Sequence, residues 1–240
     1  MANDFYKWFS ERRLTRLGGA RRERIERGRL ALLARHAQAP GDLVEIGPGT
    51  GSLLEPLTAA GWRYRAVEAS PALAASLRVR GADVIEAWAP PFPLADAAYD
   101  VVYADQVLEH MNGIDGARAF ASEASRVLRP GGVAFVVVPD YLKERTFFWD
   151  VDYTHNFVTT ERRVRQLLGD HGFAVERVVR SIGASTGVGR DLLAALSMLA
   201  NVPGLNALSR WTGTEDALFR VRKNFFETLT FVARKPAPSR

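Results

Sequence analysis

Three glycines at alternate positions follow an acidic residue early in the chain. The segment 42–57 reads DLVEIGPGTGSLLEPL, and Glu45 precedes the first glycine by two residues. The three glycines are Gly47, Gly49 and Gly51. Glycine lets a backbone turn sharply and lets a ligand approach the main chain closely. The pattern predicts a strand that turns into a helix, with a ligand bound in the turn.

The spacing and the acid both argue against a dinucleotide in this turn. The dinucleotide fingerprint is G-x-G-x-x-G, whereas this chain has G-x-G-x-G. Glu45, at the predicted strand end, would repel a pyrophosphate and attract a cation. A ligand that carries an ammonium and a sulfonium group fits better, although a tight turn without a ligand would give the same pattern.

A second acid, Glu68, lies 21 residues after Gly47, at the end of the next predicted strand, 64–68. A carboxylate at this place in a doubly wound fold accepts hydrogen bonds from the ribose hydroxyls of an adenosine group. Ser70 and Pro71 then predict the N-cap and first residue of a helix. The register therefore indicates a nucleoside site.

Between residues 44 and 140 the chain resembles the class I S-adenosylmethionine-dependent methyltransferases of the small-molecule type. The motifs that carry the resemblance, in chain order, are Glu45 with the alternate glycines, Glu86-Ala87, Pro91-Phe92-Pro93, Tyr99-Asp100, Leu108-Glu109-His110 and Arg129-Pro130-Gly131-Gly132. The resemblance implies an α/β fold, a Rossmann-like doubly wound sheet. That sheet would have seven mostly parallel strands with one antiparallel strand, a helical N-terminal cap and a helical insertion before the last strand.

The same resemblance implies S-adenosylmethionine as cofactor and S-adenosylhomocysteine as product. The methyl group would move to an O, N or C atom of a small-molecule acceptor. Glu86 would accept from the adenine amino group, where the family usually has aspartate, and Trp88 would pack near the ring. The predicted cofactor contacts are Tyr6, Glu45, Gly47, Gly49, Gly51, Glu68, Ala69, Glu86, Ala87, Asp105 and Gln106.

His155 and His110 are the predicted catalytic residues. Displacement at a sulfonium methyl needs a positioned nucleophile, and a hydroxyl acceptor also needs a base such as neutral imidazole. His155 lies in the segment 141–158, the predicted substrate-facing loop after the fifth strand. His110 stands where many relatives have histidine, which favours a structural or cofactor-side role, and loop stabilisation remains the alternative for His155. No metal site is predicted.

Two segments lie outside the predicted core. Residues 1–38 are predicted to form a basic helical cap that breaks near Gly18-Gly19. The first 36 residues hold ten basic and four acidic residues, in a chain whose net charge is +5. The methyltransferase domain would be 39–240, with 183–222 as a helical insertion or lid. The apolar helix predicted at 191–200 is too short to span a bilayer.

The amino-acid composition of the chain excludes several functions. The 240-residue chain has no cysteine, which excludes disulfides, thiolate metal sites and a cysteine nucleophile. With neither a secretory signal nor an 18-residue apolar run, we expect a cytoplasmic protein without a membrane span. The expected partner is the small-molecule acceptor, with a homodimer through 183–222 as one use of the insertion. Nucleic acid is not expected, because the N-terminal arginines alternate with leucines and glutamates at helical spacing.

Two other functions stay open at this point. One is a non-catalytic S-adenosylmethionine-binding or regulatory protein that uses the basic N-terminus to hold a partner. The other is a dinucleotide-dependent dehydrogenase.

Overall fold

The computed structural model describes residues 16–237 as seven strands and ten α-helices. The strands are β1 (Asp42–Ile46), β2 (Arg63–Glu68), β3 (Asp83–Glu86), β4 (Tyr99–Asp105), β5 (Leu128–Pro139), β6 (Ala174–Ile182) and β7 (Glu227–Arg234). The helices are α1 (Arg16–His36), α2 (Leu54–Ala59), α3 (Pro71–Val79), α4 (Gly113–Val127), α5 (Tyr141–Glu144), α6 (Phe147–Asp150), α7 (Glu161–Asp170), α8 (Gly187–Ser197), α9 (Leu205–Thr212) and α10 (Glu215–Asn224). Short 3₁₀ turns cover Leu108–His110 and Met198–Asn201.

The strands form one sheet in the order β3-β2-β1-β4-β5-β7-β6, in which β7 runs antiparallel to both neighbours. This confirms the predicted seven-stranded, mostly parallel sheet with one antiparallel strand. The strand order reverses between β1 and β4, and ligands of doubly wound folds bind at such a point, beyond the carboxyl ends of the strands. The glycine turn follows β1, while Glu68 is the last residue of β2 and Glu86 is the last residue of β3. Glu68 and Glu86 lie opposite each other in the pairing of these two strands.

The sheet is buried on both faces, and the apolar segment 133–138 of β5 is typical of a strand in such a sheet. Val136 packs with α4 and α7 on one face, while Val137 packs with α1, α2 and α3 on the other. Alternate side chains of a strand point to opposite faces, so a strand covered on both sides is apolar throughout. Each such valine contributes about 1.5–3 kcal/mol by burial. The core thus fixes the strand ends from which the site residues project.

The predicted break near Gly18-Gly19 is wrong, because α1 runs through both glycines. Glycine inside a helix costs only about 1 kcal/mol relative to alanine. That cost is offset by contacts of α1 with the core, where Leu33 is 3% exposed and Arg29 pairs with Asp105. Tyr6 lies outside the described residues, and the division at residue 38 stays a prediction.

The segment 141–158 is more ordered than the predicted loop. It holds α5 and α6, and Phe147 and Phe148 are buried. The Asp140 side chain accepts a hydrogen bond from the backbone N–H of Leu142 at 3.1 Å, which caps α5. This segment therefore packs against the protein along much of its length and does not lie freely over the sheet.

The insertion consists of α8, α9 and α10, and it leaves large apolar side chains exposed. These are Val188, Leu192, Leu196, Met198, Leu199, Val202, Leu208, Trp211 and Val221. Among the described residues no single helix is long and apolar enough to cross a membrane, but the pair 187–201 and 205–212, bent by 62°, reaches that length and composition together. A homodimer through this segment stays a prediction.

Candidate active site

A cleft of about 740 Å³ lies at the carboxyl ends of β1 to β4. The structure brings eight of the predicted site residues together in its lining: Gly47, Gly49, Glu68, Ala69, Glu86, Ala87, Gln106 and His110. Trp88, also expected near the ligand, lines it as well. One wall escaped prediction, namely Val107, Met111, Asn112 and Gly116. The residue types in that wall do not mark it as functional. Only its position on either side of the Leu108–His110 turn could have indicated that it lines a site.

The three alternate glycines serve different purposes. All have positive φ, at 64°, 57° and 65° in chain order, where side chains are strained. A Cβ on Gly51 would lie 2.2 Å from Leu77 Cδ2, and one on Gly47 would lie 2.8 Å from Val107 Cγ2. A Cβ on Gly49 would meet nothing within 4 Å. Packing therefore requires Gly51, which does not line the cleft, whereas Gly49 leaves open space beside it.

Glu68 connects the glycine turn with the turn after β2. Its carboxylate accepts hydrogen bonds from the backbone N–H of Gly49 at 3.1 Å and of Ser70 at 2.8 Å. Burial raises the pKa of Glu68, and these backbone donors oppose that rise. These donors do not use all the lone pairs of the carboxylate, so it keeps acceptor capacity for a ligand in the cleft. Ser70 precedes α3 as predicted, but its side chain forms no capping hydrogen bond.

Gln106 combines an unusual backbone with an unpartnered side chain. Its φ is +56°, which is rare for a residue other than glycine and is often found at functional sites. Its Nε2 is buried and has no hydrogen-bond partner among the described residues. Because buried polar atoms are normally paired, this amide is an unsatisfied donor in a residue that lines the cleft.

Glu45 and Asp105, like Gly51, are predicted contacts that lie outside the lining of the cleft. Glu45 is 4% exposed and accepts from the Tyr64 hydroxyl at 2.6 Å, and burial raises the pKa of Glu45 to about 7. Asp105 pairs with Arg29 of α1, and burial raises the pKa of Asp105 while Arg29 opposes the rise. Neither acid lines the cleft. The structure gives Asp105 a role in holding α1 on the sheet and gives Glu45 a partner within the core.

The two histidines are in contact, but only His110 lines the cleft. Their ring centroids are 4.9 Å apart. His155 is 6% exposed and lies beside Phe148, so it does not meet the cleft directly. Burial lowers the pKa of His155, and burial together with the neighbouring His155 lowers the pKa of His110 to about 4. Both rings are therefore neutral near pH 7.

Glu109 completes this group, although sequence reasoning gave it no role. It is 0% exposed, and neither carboxylate oxygen has a hydrogen-bond partner among the described residues. Burial raises its pKa well above the usual range. The sequence signal was its place between Leu108 and His110, which reads equally well as an ordinary turn.

The cleft suits the cofactor that the motifs imply. Gly49 leaves room for a ligand against the main chain, Glu68 keeps acceptor capacity beside it, and the unpaired amide of Gln106 lies next to the cleft. Ala87 and Trp88 add apolar surface at the far end of the cleft, beside Glu86. A nucleoside with a charged tail matches these groups, because its polar and flat parts each meet a fitting surface.

Comparison with known proteins places the chain in a family. A family model described as "Methyltransferase domain" matches residues 17–178, more than half of the chain. Over 162 residues the chain is 35% identical to a Mycolicibacterium smegmatis protein named as a probable S-adenosylmethionine-dependent methyltransferase, covering 65% of this chain and 59% of that protein. Over 99 residues it is 35% identical to the malonyl-[acyl-carrier protein] O-methyltransferase of Hahella chejuensis, covering 39% of this chain and 34% of that protein. The chain thus spans about a third and about three fifths of these relatives' lengths.

Solved structures agree on the fold. Geranyl diphosphate C-methyltransferase from Streptomyces coelicolor A3(2), in complex with Mg²⁺, geranyl diphosphate and S-adenosyl-L-homocysteine, superposes with a TM-score of 0.62 at 18% identity. The match covers 89% of this chain and 80% of that one, and at this identity it shows the fold alone. Taken with the family model and the cleft, these matches show that the chain belongs to the class I S-adenosylmethionine-dependent methyltransferases.

Proposed function

We propose that this protein transfers a methyl group from S-adenosylmethionine to a small-molecule acceptor bound beside His110. The observation that carries the proposal is the cleft where the strand order reverses, with open space at Gly49 and polar atoms of Glu68 and Gln106 on its walls. When bound, the cofactor supplies a methyl group on a positively charged sulfur that leaves as a neutral thioether.

Different residues of the cleft bind different parts of the cofactor. Glu68 accepts from the ribose hydroxyls through the lone pairs that its two backbone donors leave free. Glu86 accepts from the adenine amino group and Trp88 covers the ring. Glu86 lies 3.4 Å from Arg78 and is largely exposed, so this contact contributes less than the buried one at Glu68.

The acceptor side begins at His110. This ring lines the cleft together with Met111 and Asn112, on the wall that continues from the end of β4. His155 lies behind His110, so its part is to support that ring. The predicted direct contact between His155 and the acceptor has less geometric support than a contact from His110. Apolar walls exclude water from the reacting atoms, and that exclusion strengthens the polar contacts inside.

Methyl transfer with labelled cofactor tests the proposal. The protein is incubated with a metabolite extract and S-adenosylmethionine carrying a labelled methyl group, and labelled products are separated by mass. We expect label in a small molecule, dependent on active protein. Titration of S-adenosylmethionine and of NAD in parallel distinguishes the alternatives. Cofactor binding without transfer supports the regulatory protein, and binding of NAD alone supports the dehydrogenase.

A further inference from the structure

A carboxylate and two imidazoles converge at the wall of the cleft. Glu109, His110 and His155 each offer one metal-ligating atom, and these atoms all lie within 4.8 Å of one another. The backbone holds the two segments together, because the carbonyl of Glu109 accepts from the N–H groups of Asn156 at 2.8 Å and Phe157 at 2.9 Å. Residues 46 positions apart in the chain are thus fixed at one place.

The carboxylate of Glu109 points to a missing partner. It is fully buried, and among residues 16–237 neither of its oxygens forms a hydrogen bond or an ion pair with another residue. A buried carboxyl group either stays neutral or is paired with a cation, and a bound metal ion would satisfy both oxygens of Glu109. Arg29 pairs with Asp105 and forms no ion pair with Glu109.

Hydrogen bonds orient both imidazoles for ligation. His155 Nδ1 lies 2.5 Å from the carbonyl oxygen of Phe148, which only accepts, so Nδ1 carries the proton. Thr154 donates its hydroxyl proton to Asp152 at 2.7 Å and therefore accepts from His110 Nδ1, also at 2.7 Å. Each ring keeps its lone pair on Nε2. Metal-binding histidines are arranged in this way, with the second nitrogen donating to a carbonyl or other acceptor.

We propose that Glu109, His110 and His155 bind one divalent transition-metal ion through a carboxylate oxygen and two Nε2 atoms. Two imidazoles and one carboxylate suit Mn²⁺, Fe²⁺, Co²⁺ or Zn²⁺ better than Mg²⁺ or Ca²⁺, which prefer oxygen ligands. Three protein ligands leave coordination positions open. Since His110 lines the cleft, an oxygen atom of the acceptor can fill one of them. This last step rests on the proposed methyl transfer, whereas the metal site itself does not.

The test uses the full chain without a polyhistidine tag, so that its four histidines are the only ones present. After removal of metals with a chelator, Mn²⁺ is titrated and followed by calorimetry and by the electron paramagnetic resonance of free Mn²⁺. We expect one bound ion per chain, displaced by Zn²⁺ and not by equal Mg²⁺. The variants Glu109→Gln and His155→Asn should bind at least about tenfold more weakly, since even residues behind the ligands change affinity 10–100-fold.

His171→Asn is the matched control. His171 is the histidine at the end of α7, where it bonds to the Leu167 carbonyl, and this variant should bind Mn²⁺ like the parent. To separate lost binding from lost folding, thermal unfolding is measured with and without Mn²⁺. The ion should raise the melting temperature of the parent and of His171→Asn, but not of Glu109→Gln.

S-adenosylhomocysteine titration separates the two proposals. A parent that binds S-adenosylhomocysteine but no Mn²⁺ overturns the metal site alone, and one that binds Mn²⁺ but no S-adenosylhomocysteine overturns the proposed function alone. Equal Mn²⁺ affinity in the parent and in Glu109→Gln also overturns the metal site. A melting temperature that rises equally with Mn²⁺ in both would do the same.

Discussion

The cleft over β1 to β4 and the packing of α8 over β5 to β7 depend on different interactions. Around β1 to β4, the cleft is shaped by main-chain turns, by Gly49 and by one carboxylate that accepts from two backbone N–H groups. Around β5 to β7, α8 is held by ionic side chains. Arg190 bonds to the fully buried Glu227, while Arg180 joins Asp140 and Glu161.

The two kinds of interaction differ in how far the sequence reveals them. Main-chain contacts depend on turn geometry and few side chains, so they leave a short and repeated sequence pattern. Ion pairs between distant elements depend on the tertiary fold and leave no such pattern. The sequence therefore indicates the cleft, whereas the pairing of Arg190 with Glu227 appears only in the folded structure.

The largest effect should come from a branched side chain at the open glycine. Gly49→Val places atoms where the ligand approaches, and we expect cofactor affinity to fall about 10²-fold or more, equivalent to about 2.7 kcal/mol. Gly172→Val is the control, because Gly172 also has positive φ (82°) with nothing within 4 Å and lies after α7, outside the cleft. Calorimetry with S-adenosylhomocysteine compares the two. Equal losses of affinity in both variants would mean that backbone strain, and not the filling of the open space at Gly49, explains the effect.

A stability change confined to the packing of α8 comes next. Arg190→Leu leaves the buried carboxylate of Glu227 with Arg180, whose Nη1 lies 3.4 Å from Glu227 Oε1, as its remaining ionic partner among the described residues. We expect the free energy of unfolding to fall by about 3 kcal/mol, as when one member of a buried pair is removed. Urea unfolding measures this, and adding Glu227→Gln should restore part of the loss. Cofactor affinity should stay near the parent value, and a large drop would show that the two regions are coupled.

Glu68→Gln sharpens the role of the cleft carboxylate. Hydrogen bonds to a charged group contribute about 1.5–3 kcal/mol, so S-adenosylhomocysteine affinity should fall by roughly 10- to 100-fold. Glu86→Gln, at the exposed end of the cleft, should cost about tenfold at most. If both substitutions had the same effect, burial of Glu68 would not be the reason for its importance.

The smallest effect concerns Glu45 and pH. Its pKa is raised to about 7 in the folded protein from an ordinary value of 4.5. Between these values the native state holds a proton that the unfolded chain has lost, so stability falls as pH rises from about 4.5 to 7. Glu45→Gln should remove about 1–3 kcal/mol of that fall, measured by urea unfolding at pH 5 and pH 8. The control is Glu215→Gln, which changes an exposed acid and should leave the pH dependence as it is in the parent. An unchanged pH dependence in Glu45→Gln as well would contradict the account, because it would mean that Glu45 stays ionised throughout.

How far the sequence predicts this molecule depends on which interactions are local. Glycines at alternate positions, the apolar strands and Glu68 allowed the sheet and most of the cleft lining to be predicted, because turns and strand ends are local. The sequence did not predict that Glu45 turns toward Tyr64, since a residue's direction at a strand end depends on its neighbours in space. The cluster of Glu109 with the two histidines joins segments that are far apart in the chain. The periodicity of the sequence cannot reveal such a cluster.

A crystal structure with S-adenosylhomocysteine tests the central claim most directly. We predict that its ribose hydroxyls lie within hydrogen-bond distance of the Glu68 carboxylate, that its chain passes Gly49, and that its sulfur faces the His110 side of the cleft. S-adenosylhomocysteine bound outside this cleft, or bound within it with the ribose away from Glu68, would contradict the account.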